Sequence, residues 1–201
     1  MIWENGKGIT GAASAMIAAL CIGGEPSVAD PSPEGAWSWS YQTGAMTDGT
    51  ASEALKLWQT DFVEHYLIGG LLSYDKQIGN SRFSYGFEVQ ANLHFGDQGF
   101  AEFVLPVSLR YHPENSWWDA FDSFGFGLGW SQYTELSELE LSNYDGESRE
   151  GLVYWYIEAE FAETKSGDNL FWRLHHRSNA FDLVEPNGGS NAFVVGWRRA
   201  F

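Results

Sequence analysis

Asn191-Ala192-Phe193-Val194-Val195-Gly196-Trp197-Arg198-Arg199-Ala200-Phe201 closes the chain. Side chains alternate between the two faces of a β-strand. Phe193, Val195, Trp197, Arg199 and Phe201 therefore fall on one face, and Ala192, Val194, Gly196, Arg198 and Ala200 on the other. A last strand with large apolar residues at every second position and a C-terminal aromatic is the expected ending of an outer-membrane barrel. This reading sets the solvent. In such a barrel the large apolar side chains point outward into lipid and the polar ones into a lumen.

Upstream, the same alternation recurs in segments near 37–46, 61–74, 82–95, 100–111, 123–134, 152–162, 169–180 and 191–201. Turn-forming residues separate them at 75–80, 96–99, 112–115, 143–147 and 165–169. Each segment is long enough to cross a hydrocarbon layer at a tilt. Lipid offers backbone groups no hydrogen-bond partner, so the sheet must close. The expected fold is all-β: an eight-stranded antiparallel transmembrane β-barrel in the bacterial outer membrane. Gly125, Gly127 and Gly129 share one face of the fifth segment. They leave a smooth stripe suited either to strand curvature or to close approach by a lumen side chain.

Composition agrees with that solvent. Aromatics make up 16% of the 201 residues, with 10 Trp, and Trp and Tyr collect at membrane–water interfaces. Mean hydropathy is only -0.28, as expected where every other residue meets lipid. The net charge of -16 argues against a nucleic-acid partner, which needs a basic face. No glycine loop suited to phosphate precedes a helix, so no nucleotide cofactor is expected. His65, His94 and His112 read as scattered, and no metal cluster is expected.

Ile9 to Gly24 is apolar and rich in small residues, and Ser27-Val28-Ala29 is an acceptable cleavage triplet. Residues 1–29 are expected to be a signal peptide and 30–201 the barrel. Cys21 is the only cysteine, and Leu20 before it does not suit a lipoprotein signal. Cleavage after Ala29 would leave no thiol, which suits an oxidising periplasm. Counting back from a periplasmic C-terminus makes 47–57, 135–150 and 181–190 outside loops, and 75–80 and 164–169 periplasmic turns. Two connections depart from the usual pattern: 96–99 is short but outside, and 112–121 is long but inside. Glu135, Glu138, Glu140, Asp145, Glu147 and Glu150 crowd one outside loop and read as a solvated acidic surface, with cation bridging to lipopolysaccharide as the alternative.

The seventh segment carries the chemistry. Leu170, Trp172, Leu174, His176 and Ser178 share one face, and Phe171, Arg173, His175, Arg177 and Asn179 the other. The arginines suit a lumen, where Glu158 and Glu160 also point, and the leucines suit lipid. His176 and Ser178 therefore continue the lipid-facing row. Two apart on one face, they are spatial neighbours, and an imidazole there can accept a hydroxyl proton. Polar groups facing hydrocarbon are costly and tend to mark function. At the outer end of an ascending strand, such a serine is placed to attack an acyl ester of a lipid within its leaflet. The bland reading is an interfacial histidine with a serine capping the strand.

His176-Arg177-Ser178-Asn179-Ala180, then Pro186-Asn187-Gly188-Gly189 and a closing strand ending in Phe, resembles the lipid A 3-O-deacylases of the PagL type. The match is sharp over about 170–201 and looser upstream, at Pro106 to Tyr111 and the glycine-rich fifth segment. The resemblance implies an eight-stranded barrel with an external site, Ser178 as nucleophile, His176 as general base and Asn179 as oxyanion donor. Alternation turns the Asn179 side chain inward, so its backbone N–H is the expected donor. The family completes its triad with a glutamate at the start of the last strand. Here that stretch reads Gly188-Gly189-Ser190-Asn191-Ala192. Asn191 is expected to hold the imidazole in place of the acid, with Glu185 or Asp182 as fallbacks. The partners implied are lipid A or lipopolysaccharide of the outer leaflet, the membrane itself and, as a further option, a second copy in a homodimer. The alternatives are a deacylase-like scaffold without activity, and a soluble lipocalin-like barrel, which would need Trp172, Leu174 and Trp197 inside.

Overall fold

The structure, a computed structural model, describes residues 34–49, 51–55, 60–114, 120–162, 164, 167–181 and 183–201. The expected signal peptide and Asp182 lie outside the described residues. The strands are β1 (Ala36–Thr47), β2 (Phe62–Gln77), β3 (Phe83–Gly96), β4 (Phe100–Tyr111), β5 (Phe121–Tyr133), β6 (Gly151–Phe161), β7 (Asn169–Ser178) and β8 (Gly189–Ala200). Two short helices interrupt the connections, α1 (Ala51–Ala54) and α2 (Glu138–Asn143). Each strand pairs antiparallel with its neighbours, and β1 pairs with β8 to close the barrel. Among the described residues no strand edge is left unpaired, as lipid requires.

The period of two sorts the residues in the direction expected. On β4, Phe103, Leu105, Val107 and Leu109 are exposed, while Glu102, Val104, Ser108 and Arg110 are buried. Such an exterior would be a liability in water and is suited to hydrocarbon. Aromatic pairs ring the two ends: Trp37 with Tyr74, Phe83 with Tyr111 and Phe121 with Phe161 at one, Phe62 with Phe193 and Tyr66 with Phe95 at the other. The lumen holds buried arginines and glutamates beside a small apolar cluster of Met46, Leu67, Phe171, Ala192 and Val194. Trp197 is 53% exposed on the outer face, which excludes the lipocalin-like arrangement.

Buried charge must be paired, and the lumen pairs it in two tiers. In one, Arg173 Nη2 lies 2.6 Å from Glu158 Oε2 and 2.9 Å from Glu88 Oε1, Arg198 Nη1 lies 3.0 Å from Glu158 Oε1, and Arg110 Nη2 lies 3.1 Å from Glu88 Oε1. Glu160 joins both Arg110 and Arg198. In the other, Glu102 accepts from Ser131 Oγ at 2.6 Å and Asn92 Nδ2 at 2.8 Å, and His175 Nε2 lies 3.1 Å away. The glycine stripe gives these side chains room. A Cβ at Gly125 would stand 3.1 Å from Arg110 Nη1, and one at Gly127 would collide with the Tyr156 ring.

Three readings change. The seventh strand ends at Ser178, two residues before the expected Ala180, because the chain turns there. His65 and His94 are not scattered: β2 and β3 bring His65 Nε2 within 3.2 Å of His94 Nδ1, whose Nε2 lies 3.3 Å from Glu102. Glu140 is not a solvated loop acid. Helix α2 folds into the barrel mouth and buries it completely. Its carboxylate lies 2.9 Å from Arg177 Nε and accepts from Ser148 Oγ at 2.6 Å and Ser190 Oγ at 2.7 Å. A charged partner inside the lumen outweighs the hydration a loop carboxylate would otherwise keep.

Candidate active site

The antiparallel order puts the ends of β1, β3, β5 and β7 and the starts of β2, β4, β6 and β8 at one end of the barrel, and there β7 delivers His176 and Ser178. The register sets His176 opposite Trp155 on β6 and Asn191 on β8, and Ser178 opposite Val153 and Gly189. All are outward by alternation. Trp155 packs on the imidazole with ring centroids 4.5 Å apart. His176 is 7% and Asn191 2% exposed, so the pair is sheltered on the outside of the wall while Ser178 keeps partial access. Beyond Ser178, Ala180 and Phe181 adopt φ values of 53° and 57°. Non-glycine residues rarely take that region, and it recurs near functional sites.

His176 Nδ1 lies 2.6 Å from Asn191 Oδ1, and Asn191 Nδ2 donates to Gly49 O at 2.9 Å. The Gly49 carbonyl can only accept, so it takes the amide's donor end and turns Oδ1 to the imidazole. An oxygen facing Nδ1 requires a proton on Nδ1, and the neutral ring then carries its lone pair on Nε2. The arrangement fixes the tautomer a general base needs without a carboxylate.

The structure pairs His176 with Asn191 across the upper β7–β8 ladder, and Ser178 lies two residues further along the same face of β7. Asn179 departs from its expected role. Its backbone N–H donates to Gly188 O at 3.1 Å, closing the turn, so that donor is occupied. The next amide, Ala180 N–H, donates weakly to Ser178 Oγ at 3.4 Å. Glu185 does not serve as the fallback acid. It is exposed, its backbone carbonyl accepts from Arg149 Nη1 at 2.7 Å, and Asn191 holds the imidazole.

Sequence reading missed the loop that reaches this site. Ser137, three residues before Glu140, is a helix-start signature, and Ser137 Oγ accepts from Glu140 N at 3.4 Å. That signal locates α2. It does not tell that the Glu140 side chain turns into the lumen. At the helix end, Tyr144 N–H donates to Glu140 O at 3.1 Å. A Cβ on Gly189 would lie 3.0 Å from the Tyr144 hydroxyl and 3.3 Å from Ser178 Cα. Burial, together with the Glu140 carboxylate, raises the Tyr144 phenol above its usual range.

A closed barrel with an apolar belt, aromatic rings at both ends and a charge-paired lumen defines the class: a bacterial outer-membrane β-barrel protein. No protein-family model matches the chain, and no curated protein matches it by sequence. The crystal structure of the outer membrane enzyme PagL is similar to it, with a TM-score of 0.55 at 16% identity, covering 81% of this chain and 98% of that one. Neisserial surface protein A (NspA) aligns with a TM-score of 0.47 at 10% identity, over 83% of this chain and 97% of its own. At 16% identity the PagL likeness speaks for the fold.

Proposed function

We propose that this barrel is an outer-membrane ester hydrolase that removes an ester-linked acyl chain from lipid A of lipopolysaccharide. Ser178 is the nucleophile, His176 the general base and Asn191 the residue that orients it. The observation that carries this reading is the outward His176–Asn191 pair with its tautomer set by Gly49, beside an outward serine. An aqueous hydrolase has no reason to build such a group on a lipid-facing wall, whereas a lipid ester reaches it by lateral diffusion.

Ser178 turns from its Ala180 contact to the imidazole. Its Oγ attacks the acyl carbonyl carbon, and its proton passes to His176 Nε2. The tetrahedral intermediate collapses, the bond to the sugar oxygen breaks, and that oxygen takes the proton from His176. The acyl chain is left on Ser178. Water then attacks the acyl-enzyme, giving a proton to His176, and collapse releases the fatty acid as Ser178 Oγ takes the proton back. A neutral Asn191 stabilises the imidazolium less than a carboxylate does, which favours a slow enzyme. The same observation supports the second reading, a barrel retained as a scaffold.

The test is reconstitution with lipopolysaccharide and mass spectrometry of lipid A, beside Ser178→Ala and His176→Ala. Loss of one hydroxyacyl chain with the parent alone supports the enzyme. Identical spectra for all three support the scaffold.

A further inference from the structure

The turn hydrogen bond from Asn179 N–H to Gly188 O takes that amide away from an oxyanion. Loop 134–150 ends beside the site. Glu140 anchors that loop within the lumen through Arg177 and Ser190. Both neighbours matter: Arg177 lies between His176 and Ser178 on β7, and Ser190 between Gly189 and Asn191 on β8. Arg177 also stacks on Tyr133, with its guanidinium carbon 3.4 Å from the ring centroid, and donates to Arg149 O at 2.7 Å and Glu150 O at 3.1 Å. The lumen side of the catalytic strands is therefore clasped by the same loop whose next residues cross the rim. There the Tyr144 hydroxyl stands over Gly189, opposite Ser178.

We propose that loop 134–150 completes the active site, with Tyr144 as a catalytic residue whose hydroxyl donates a hydrogen bond to the acyl carbonyl oxygen, and Glu140 as the positioning residue that holds it there. The inference rests on the esterase reading above. When Ser178 Oγ bonds to the carbonyl carbon, the carbonyl electron pair moves onto oxygen. The Tyr144 O–H shortens its hydrogen bond to that oxygen without giving up its proton, and releases it when the carbon–oxygen double bond reforms. Burial favours the neutral phenol, so the donor is present at neutral pH. Donors placed where charge develops act chiefly on the transition state.

Tyr144→Phe removes one hydroxyl and nothing else. It should lower kcat on both lipid A and a soluble short-chain p-nitrophenyl ester by about 100-fold, with KM unchanged, since loss of one oxyanion donor typically costs about 100- to 1000-fold. Glu140→Gln should also lower kcat in a barrel that still shows folded mobility on an unheated gel. Its effect should vanish in the Tyr144→Phe background, because it acts through that residue. A Tyr144→Phe kcat within twofold of the parent overturns the donor, and a Glu140→Gln loss that persists in the double variant overturns the positioning role. A parent that is inactive, and that a fluorophosphonate fails to label at Ser178, removes the esterase reading and this inference with it.

Discussion

His176 and Asn191 face one another across the β7–β8 ladder with Nδ1 and Oδ1 2.6 Å apart, and Gly49 O holds the other end of the amide. Asn191→Asp keeps the acceptor for Nδ1–H and adds the charge that stabilises imidazolium. It also sets a carboxylate oxygen against the Gly49 carbonyl. The expected outcome is a rise in kcat of about tenfold, a fraction of what a triad acid contributes, with a lower unfolding midpoint. Asn191→Ala, which loses the orienting contact, should fall below the parent. Acyl release from reconstituted lipopolysaccharide measures both, and an aspartate variant as slow as the alanine one would show that the amide donor is indispensable.

Glu158 answers three arginines, Arg110, Arg173 and Arg198. Glu158→Ala leaves their charge uncompensated inside the barrel. Removing one partner of a buried pair costs about 3–5 kcal/mol, and urea unfolding in lipid vesicles, followed by tryptophan fluorescence, should show a loss of that order. A change below about 1 kcal/mol would mean that the tier redistributes its charge among Glu88 and Glu160.

Leu105 is 59% exposed near the middle of β4. In lipid, Leu105→Arg should cost about 2–4 kcal/mol, as arginine does at the bilayer midplane. On a water-facing surface the same change would fall within about 0.5 kcal/mol. The vesicle unfolding midpoint separates these outcomes.

His112 follows the end of β4 and is buried, with Ser84 Oγ 3.0 Å from Nε2 and Asp122 Oδ2 3.8 Å from Nδ1. Burial, reinforced by Arg110, lowers its pKa to about 4, against the weaker opposing pull of Asp75. A depressed folded-state value means that the unfolded chain binds the proton first. Above the unfolded pKa near 6.5 nothing is lost; between there and about 4 stability declines as pH falls, and below about 4 the loss levels off. His112→Gln should flatten that part of the curve. Unfolding midpoints of both proteins from pH 7.5 to 3.5 test it, and superimposable curves would remove His112 as the cause.

The sequence made the wall legible because one period governs it. Parity alone put Arg173 inside and Trp197 outside, and the adjacency of the last two strands made Asn191 a partner for His176. The boundary at 178 depended on a turn hydrogen bond that no pattern encodes. The mouth of the barrel was hidden for a different reason. Glu140 and Arg177 are brought together by a folded loop rather than by strand register, and nothing periodic marks an acidic residue that will turn inward among five that resemble it. The same holds for His65 and His94, whose separation in sequence conceals adjacent strands, and for Asn179, whose N–H is consumed by a local turn.

The bore of this cylinder is crossed by paired guanidinium and carboxylate groups, an apolar cluster around Phe171 lies beside them, and α2 folds into its mouth. Inserted into a planar bilayer, it should therefore be electrically silent, passing neither ions nor small solutes. On the reading proposed above, its work is done on its flank, on molecules that drift sideways against it.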